Sequence, residues 1–264
     1  MKKFHIITNS TKDPAGKNTA LIQAKLENLG AVVSASDTYD ESIGAEVILV
    51  LGGDGTLLRA AGDTFGMGVP LLGVNLGTLG YLAEAEMGDI DNVLKNLVED
   101  NVVLEERMML CGNVDTMPED HCLNDIVITG CAPLALIRYD IYVNDEFLNS
   151  YAADGLVIAT PTGSTGYNMS AGGPIVEPRS NIIVVTPICP HTLNTRSIVL
   201  SAEDRISVKI SDSQRDKVAV LFDGREPYML GAGEKVNIER SSKVTKIVKL
   251  RKESFLNTLH NKLN

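Results

Sequence analysis

Two glycine-rich segments hold the residue types that can do chemistry. The first, Gly52-Gly53-Asp54-Gly55-Thr56, follows the apolar run Val47-Ile48-Leu49-Val50-Leu51. Glycine has no Cβ, so backbone can come close to a ligand here. A helix starting near Thr56 turns its unpaired N–H groups and the positive end of its dipole toward the same spot. Phosphate oxygens suit that geometry, with Gly52, Gly53, Gly55 and Thr56 placed to hold them. Asp54 is an acid beside phosphates, an unfavourable arrangement unless it accepts a proton from an attacking hydroxyl or binds Mg²⁺. The other reading is a tight turn whose aspartate caps the helix. Arg59, one turn into the helix, either reaches phosphate or lies on a solvated face.

The second segment runs from Asp154 to Pro174. Thr160, Thr162, Ser164 and Thr165 offer hydroxyls on a path bent by proline and glycine. Tyr167 offers a flat aromatic face, and Asn168 and Ser170 add an amide and a hydroxyl. Stacking with a few convergent polar groups is what an adenine ring and its ribose need. A polar surface loop with a core tyrosine is the alternative. Between the two segments, Asn124-Asp125 stands at a strand start, either to read ribose hydroxyls or an adenine edge, or as a polar turn. On the order of a hundred residues separate the glycine-rich segments. Only the fold can bring them together, which suggests a cleft where a phosphate donor meets a nucleotide acceptor.

The elements that must position these residues change character along the chain. Strands are expected at Phe4–Thr8, Ala31–Ser34, Glu46–Leu51 and Pro70–Asn75, and helices at Gly16–Leu29, Thr56–Phe65 and Asp89–Val98. That alternation implies a parallel sheet with helices on both faces, a doubly wound α/β domain. Ligands in such sheets bind at the carboxyl ends of strands. The glycine-crowded run from Gly73 to Tyr81 therefore belongs to the same crevice as residues 52–56. Beyond Leu104 the runs become β-branched or alternating: Asp125–Thr129, Leu136–Val143, Gly155–Ala159, Asn181–Thr186, Ser197–Leu200, Arg205–Ile210, Val218–Phe222 and Lys235–Glu239. A helix at Lys252–Leu263 ends the chain. The expected division is an α/β domain over 1–103, a β-rich domain over 104–250, and a terminal helix over 251–264 returning to the first domain.

The chain has 264 residues, 44% of them hydrophobic, and a formal net charge of −10. That charge argues against nucleic acid and anionic membranes as partners. It also requires backbone amides, a few arginines or a bound cation at any phosphate site. No apolar run approaches the roughly 20 residues of a membrane span, and a cytoplasmic location is expected. The four cysteines form no C-x-x-C pair and are read as reduced, mostly buried thiols. No protein-held metal is expected: His191 has no second ligand at metal spacing, and His121 has no identifiable partner. Neither a P-loop nor a G-x-G-x-x-G fingerprint occurs.

Taken together, Gly52–Thr56, Asn124-Asp125, Asp154–Pro174, Thr186–Arg196 and Asp223-Gly224 resemble bacterial NAD kinases, which make NADP from NAD. Most of the chain matches, in order. The GGDGT run is shared with diacylglycerol-type lipid kinases and phosphofructokinases; the long second segment is specific. The resemblance implies Asp54 as the base for the adenosine 2′-hydroxyl, with Gly55 beside it. It implies Asn124 and Asp125 at the adenosine and Asp154 on the nicotinamide side. Thr165, Gly166, Tyr167, Asn168, Met169 and Ser170 would wrap the adenine, and Thr162 and Cys189 would line the same pocket. It also implies an α/β plus β-rich fold, homodimers or homotetramers, and ATP or polyphosphate as donor with a divalent cation such as Mg²⁺. Two positions depart from the family pattern. Ala152 stands where many members carry arginine, and Arg225 where many carry glutamine; a cation at 225 could offset the loss at 152. A lipid kinase and a non-catalytic nucleotide sensor are the competing readings. The first needs an apolar or basic membrane-facing surface, and the second has no need of Asp54.

Overall fold

A computed structural model describes residues 1–77, 80–114, 117–132, 135–191, 195–250 and 255–263. In chain order its first elements are β1 (Lys3–Ile7), α1 (Lys17–Asn28), β2 (Val32–Ser36), β3 (Val47–Gly52), α2 (Asp54–Asp63), β4 (Leu71–Asn75), β5 (Ala85–Glu86) and α3 (Ile90–Val98). Strands follow as β6 (Val103–Val114), β7 (Asp120–Cys122), β8 (Asp125–Gly130), β9 (Ile137–Val143), β10 (Glu146–Ala153) and β11 (Gly155–Ala159). After the short helix α4 (Tyr167–Ser170) come β12 (Ile182–Ile188), β13 (Ile198–Ser201), β14 (Ile206–Ile210), β15 (Val218–Phe222), β16 (Tyr228–Leu230) and β17 (Lys235–Lys249), then α5 (Phe255–Leu263). Among the described residues no helix is long and apolar enough to cross a membrane.

The chain divides into two compact units. One comprises Met1–Arg107 and Val244–Asn264, the other Met108–Lys243. The first is α/β and the second is β-rich. Strand β17 enters the first unit at its far end, where Ile247 pairs in parallel with Leu71.

In the first unit β2, β1, β3 and β4 lie side by side, all parallel. Apolar residues occupy both faces of the central strands: Ile48, Leu49, Val50 and Leu51 are all buried. On one face, Ile22 and Leu26 of α1 and Val93, Leu94 and Leu97 of α3 pack on Phe4, Ile6, Leu49 and Leu72. Helix α2 takes the other face through Leu57, whose Cδ1 lies 2.7 Å from where a Cβ on Gly73 would stand. Helices thus cover both faces, as continuous apolar strands require.

The second unit is built from antiparallel strands. One sheet has six, ordered β13-β12-β11-β8-β15-β16. The other contains the run β10-β9-β14-β17. Strict alternation on β9 sends Ile137, Tyr139 and Ile141 inward, where they share one core with Ile126, Ile128, Leu156, Ile158, Val208 and Val220. Asn144 and Asp145 join β9 to β10 with φ of 51° and 67°, the left-handed pair of a tight hairpin turn. The outer face of the six-stranded sheet is also covered. Val127, Val157, Ala159 and Val184 pack there with Ala171 and Val176, which lie just beyond α4. Burial on both faces of β11 is what fixes the loop carrying the second glycine-rich segment.

Two expectations from sequence change here. Helix α2 begins at Asp54 rather than Thr56, so the acid is part of its first turn. Of the cysteines only Cys111 and Cys122 are buried, while Cys131 and Cys189 are exposed.

Candidate functional site

In the first unit the strand order reverses between β1 and β3, the place where open α/β sheets bind ligands. Asn9, just past β1, donates from Nδ2 to Thr56 Oγ1 at 3.0 Å, linking the two strand ends. A Cβ on Gly52 would overlap that same threonine hydroxyl, so glycine is required. The first backbone bond of α2 is Thr56 N–H to the Gly53 carbonyl at 3.0 Å. The preceding amides stand at the open helix end, suited to anions. Asp54 makes no cap to its own helix. Its carboxylate accepts from the Tyr81 amide at 2.7 Å and the Leu82 amide at 3.1 Å, one on each oxygen. This ties the loop after β3 to the one after β4. A Cβ on Gly80 would run into the Asp54 carboxylate. Each carboxylate oxygen still has a lone pair for a further donor. Arg59 is exposed and donates to the Asp37 carbonyl at 3.1 Å. Thr78 and Leu79 of the second loop lie outside the described residues.

In the second unit Asp125 opens β8 with 6% of its surface exposed. The backbone around it is held by Asp223, whose carboxylate accepts from the amides of Leu123 at 2.7 Å, Asn124 at 2.8 Å and Asp125 at 3.3 Å. Burial, with Asp223 nearby, pushes the Asp125 carboxyl up to about 7. Burial raises Asp223 too, against the opposing pull of those amides and Arg225. The other wall is the turn after β11. Thr160 donates its hydroxyl to the Leu123 carbonyl at 2.6 Å and its amide to the Asn124 carbonyl at 2.8 Å. A Cβ on Gly163 would collide with the Asn124 backbone, and one on Gly166 would stand 3.3 Å from Asn124 Nδ2. Asn124, Asp125, Gly163 and Gly166 are therefore neighbours, and Thr162 precedes Gly163 in the chain. Asn124 Oδ1 is buried with no hydrogen-bond partner among the described residues, a group that a ligand donor would satisfy. Tyr167 (48% exposed) and Met169 (37%) present apolar surface on α4, and Ser170 is exposed beside them.

Asp154 and Cys189 mark the opposite end of the same strands. Asp154 N–H donates to the Ile188 carbonyl at 3.0 Å, and Cys189 follows with φ 44°. Ala159 pairs with Asp125, so five residues of β11 separate the two ends, about 16 Å at ~3.3 Å per residue. One ligand that touches both ends must be elongated.

The ATP-NAD kinase N-terminal domain matches residues 14–102 and the ATP-NAD kinase C-terminal domain residues 123–250. The chain belongs to the ATP-NAD kinase family. It is 39% identical to the NAD kinase of Lachnospira eligens, covering 100% of both chains. It is 42% identical to that of Agathobacter rectalis, covering 100% of this chain and 99% of the relative. Among solved structures, an NAD kinase from Archaeoglobus fulgidus in complex with ATP superposes with a TM-score of 0.85 at 26% identity, over 99% of this chain and 98% of that one.

Within this family member the remaining site residues take distinct positions. Asn168 is fully buried. Its amide donates to the Ser164 and Pro174 carbonyls at 3.2 and 3.0 Å, and its oxygen accepts from Thr186 at 2.7 Å. Its side chain thus shapes the loop from inside instead of facing a base. Arg225 is drawn to Asp120 at 2.8 Å and to the His121 carbonyl. The residue facing Ala152 across the β9–β10 pair is the exposed Arg138. Thr192, Leu193 and Asn194 of the matching segment lie outside the described residues. Sequence reasoning did not single out Asn9, Thr160 or Asp223 as the residues that hold these loops. The Asp223-Gly224 turn was the available signal, since both residues take positive φ, 49° and 68°.

Two predictions concern these supports. Gly80→Ala is expected to lower stability by about 1–3 kcal/mol, as forced overpacking does, measured by denaturant unfolding; an unchanged midpoint would show that the carboxylate moves freely. For Asp125, the folded value near 7 exceeds the ordinary unfolded value of about 3.9. Between these values the folded chain keeps a proton that the unfolded chain has lost. Stability therefore falls as pH rises from about 4 to about 7 and levels above that. Asp125→Asn should be the more stable protein at pH 8, on the order of 4 kcal/mol for values about three pH units apart, with the difference shrinking toward pH 4. Parallel unfolding curves at both pH values would contradict this.

Proposed function

We propose that this protein transfers the terminal phosphoryl group of ATP, or of polyphosphate, to the 2′-hydroxyl of the adenosine ribose of NAD, giving NADP. The observation that carries the reading is the Asp54 carboxylate, oriented by two backbone amides at an open helix end and still able to accept a hydroxyl proton. ATP is the preferred donor on the strength of the related archaeal structure, which holds it. A divalent cation, Mg²⁺ in the simplest case, arrives with the donor as part of the substrate and neutralises phosphate charge.

The roles follow the geometry of each segment. Backbone at Gly52, Gly53, Gly55 and Thr56 holds donor phosphates, with Arg59 within one helical turn. Asn124 and Asp125 receive the donor groups of the adenosine, which satisfies the buried Asn124 oxygen. Tyr167 stacks on the adenine, with Thr162, Thr165, Gly166, Met169 and Ser170 around it. Asp154 and Cys189 meet the nicotinamide side, a strand length away. In the transfer, the ribose O2′–P bond forms as the bond from phosphorus to the bridging oxygen breaks. The hydroxyl proton passes to Asp54, and the charge of the leaving phosphate stays with its cation. The transition state is loose, so positioning supplies most of the acceleration. A cytoplasmic homodimer or homotetramer is the proposed form, from the family resemblance.

The direct assay is purified protein with ATP, Mg²⁺ and NAD, scored for NADP by an NADP-specific dehydrogenase. No NADP with bound NAD would favour a nucleotide sensor, and phosphorylation of diacylglycerol instead would favour a lipid kinase. Asp54→Asn should lower turnover by about 100-fold or more, the low end of general-base contributions, while NAD still binds; near-normal turnover would remove Asp54 from the chemistry. Tyr167→Ala should raise the Kd for NAD by about 5- to 100-fold, as loss of base stacking does, with turnover at saturation largely kept. A large loss of turnover at unchanged affinity would contradict stacking.

A further inference from the structure

Strands β6 and β7 carry a second group of chemically capable side chains, apart from the nucleotide residues. They run antiparallel, with Leu110 opposite Cys122 and Cys111 opposite His121. Side chains alternate across a strand. Leu110 and Cys122 point into the core and are fully buried, so Cys111 and His121 share the other face. Glu119 precedes His121 by two residues and joins them. One ligand atom from each of the three lies within 4.8 Å of the others. Glu119 Oε1 is already 3.3 Å from His121 Nε2.

A tetrahedral ion with bonds of ~2.0–2.3 Å sets its ligand atoms about 3.3–3.8 Å apart. The upper separation of 4.8 Å is within about 1–1.5 Å of that spacing. Cys111 and Glu119 also line a cavity of about 280 Å³ together with Asp145, Glu239 and Arg205. It leaves room for a water, or for Glu239, whose carboxylate now pairs with Arg205 at 3.1 Å. Acids outnumber the one arginine there, which favours a cation. Burial, then Glu119 and Glu239, hold the Cys111 thiol up at about 12; a metal ion reverses that balance by taking the place of the thiol proton.

We propose that Cys111, Glu119 and His121 bind a divalent ion of the zinc class, with water or Glu239 as the fourth ligand. Thiolate and imidazole select such an ion over Mg²⁺ or Ca²⁺. Binding exchanges the thiol proton for a sulfur–metal bond and releases that proton to solvent. Strand β7 ends at Cys122, and Leu123 alone separates it from Asn124-Asp125, so the ion would staple the ladder that leads to those residues. The site is independent of the donor's cation and does not rest on the kinase reading.

The test strips the full chain with a chelator and titrates Zn²⁺ against a chromophoric competitor, with Co²⁺ as a spectroscopic probe. One ion per chain is expected, with a thiolate-to-cobalt charge-transfer band and a Tm raised by Zn²⁺. Cys111→Ser and His121→Gln should each weaken binding by about 100-fold or more, since losing even an outer-shell partner costs 10–100-fold. Cys131→Ser, at an exposed thiol, should change nothing. Zinc that the competitor removes at once, a cobalt complex without the thiolate band, or unchanged affinity in His121→Gln would each overturn the site. The cobalt spectrum of the unaltered chain decides the matter even if a variant folds poorly.

Discussion

The first unit depends on a carboxylate that two backbone amides hold still. Asp54 accepts from Tyr81 and Leu82, and this contact joins the loops after β3 and β4. It also dictates composition around it, because Gly80 leaves the space that the carboxylate fills and Gly52 the space that Thr56 fills. Conformational freedom of glycine is secondary at Gly80; room is what matters. An acid placed at a helix N-terminus is favourable in itself, and here it is oriented as well. Positioning of that kind is what phosphoryl transfer needs most.

The second unit uses the same device in reverse. Asp223 accepts three consecutive amides and so shapes the backbone from which Asn124 and Asp125 project. Burying a second acid beside it raises Asp125 and leaves a site that gains from ligand hydrogen-bond donors. A chain of net charge −10 thus handles its acids locally, through backbone N–H groups more than through arginine. Arg225, the cation nearest these acids in sequence, is held by Asp120.

Much of this was legible before any coordinates. Strands β8, β11 and β15 announced themselves by β-branched runs bounded by turn residues, and the α/β order of the first unit by alternating periods. Strand β6 escaped because Met108 to Gly112 is continuously buried and shows no alternation. Strand β10 escaped for the opposite reason: residues 146–150 are all exposed, as befits an edge. Strand β17 runs ten residues past the expected Glu239, to Lys249, through a polar stretch that reads as a turn. Side-chain commitments were the least legible. Asn168 looked like a base reader, yet Ser164 and Pro174 of its own segment and Thr186 of β12 take up its amide. His121 looked solitary because its neighbour Cys111 is placed by strand register, which sequence spacing does not show.

The most direct test of the account is a crystal structure of this protein with NAD and a non-hydrolysable ATP analogue. The adenosine 2′-oxygen is expected about 2.6–3.2 Å from an Asp54 carboxylate oxygen, the reach of a general base. A dinucleotide bound with its 2′-oxygen far from Asp54 would contradict that role.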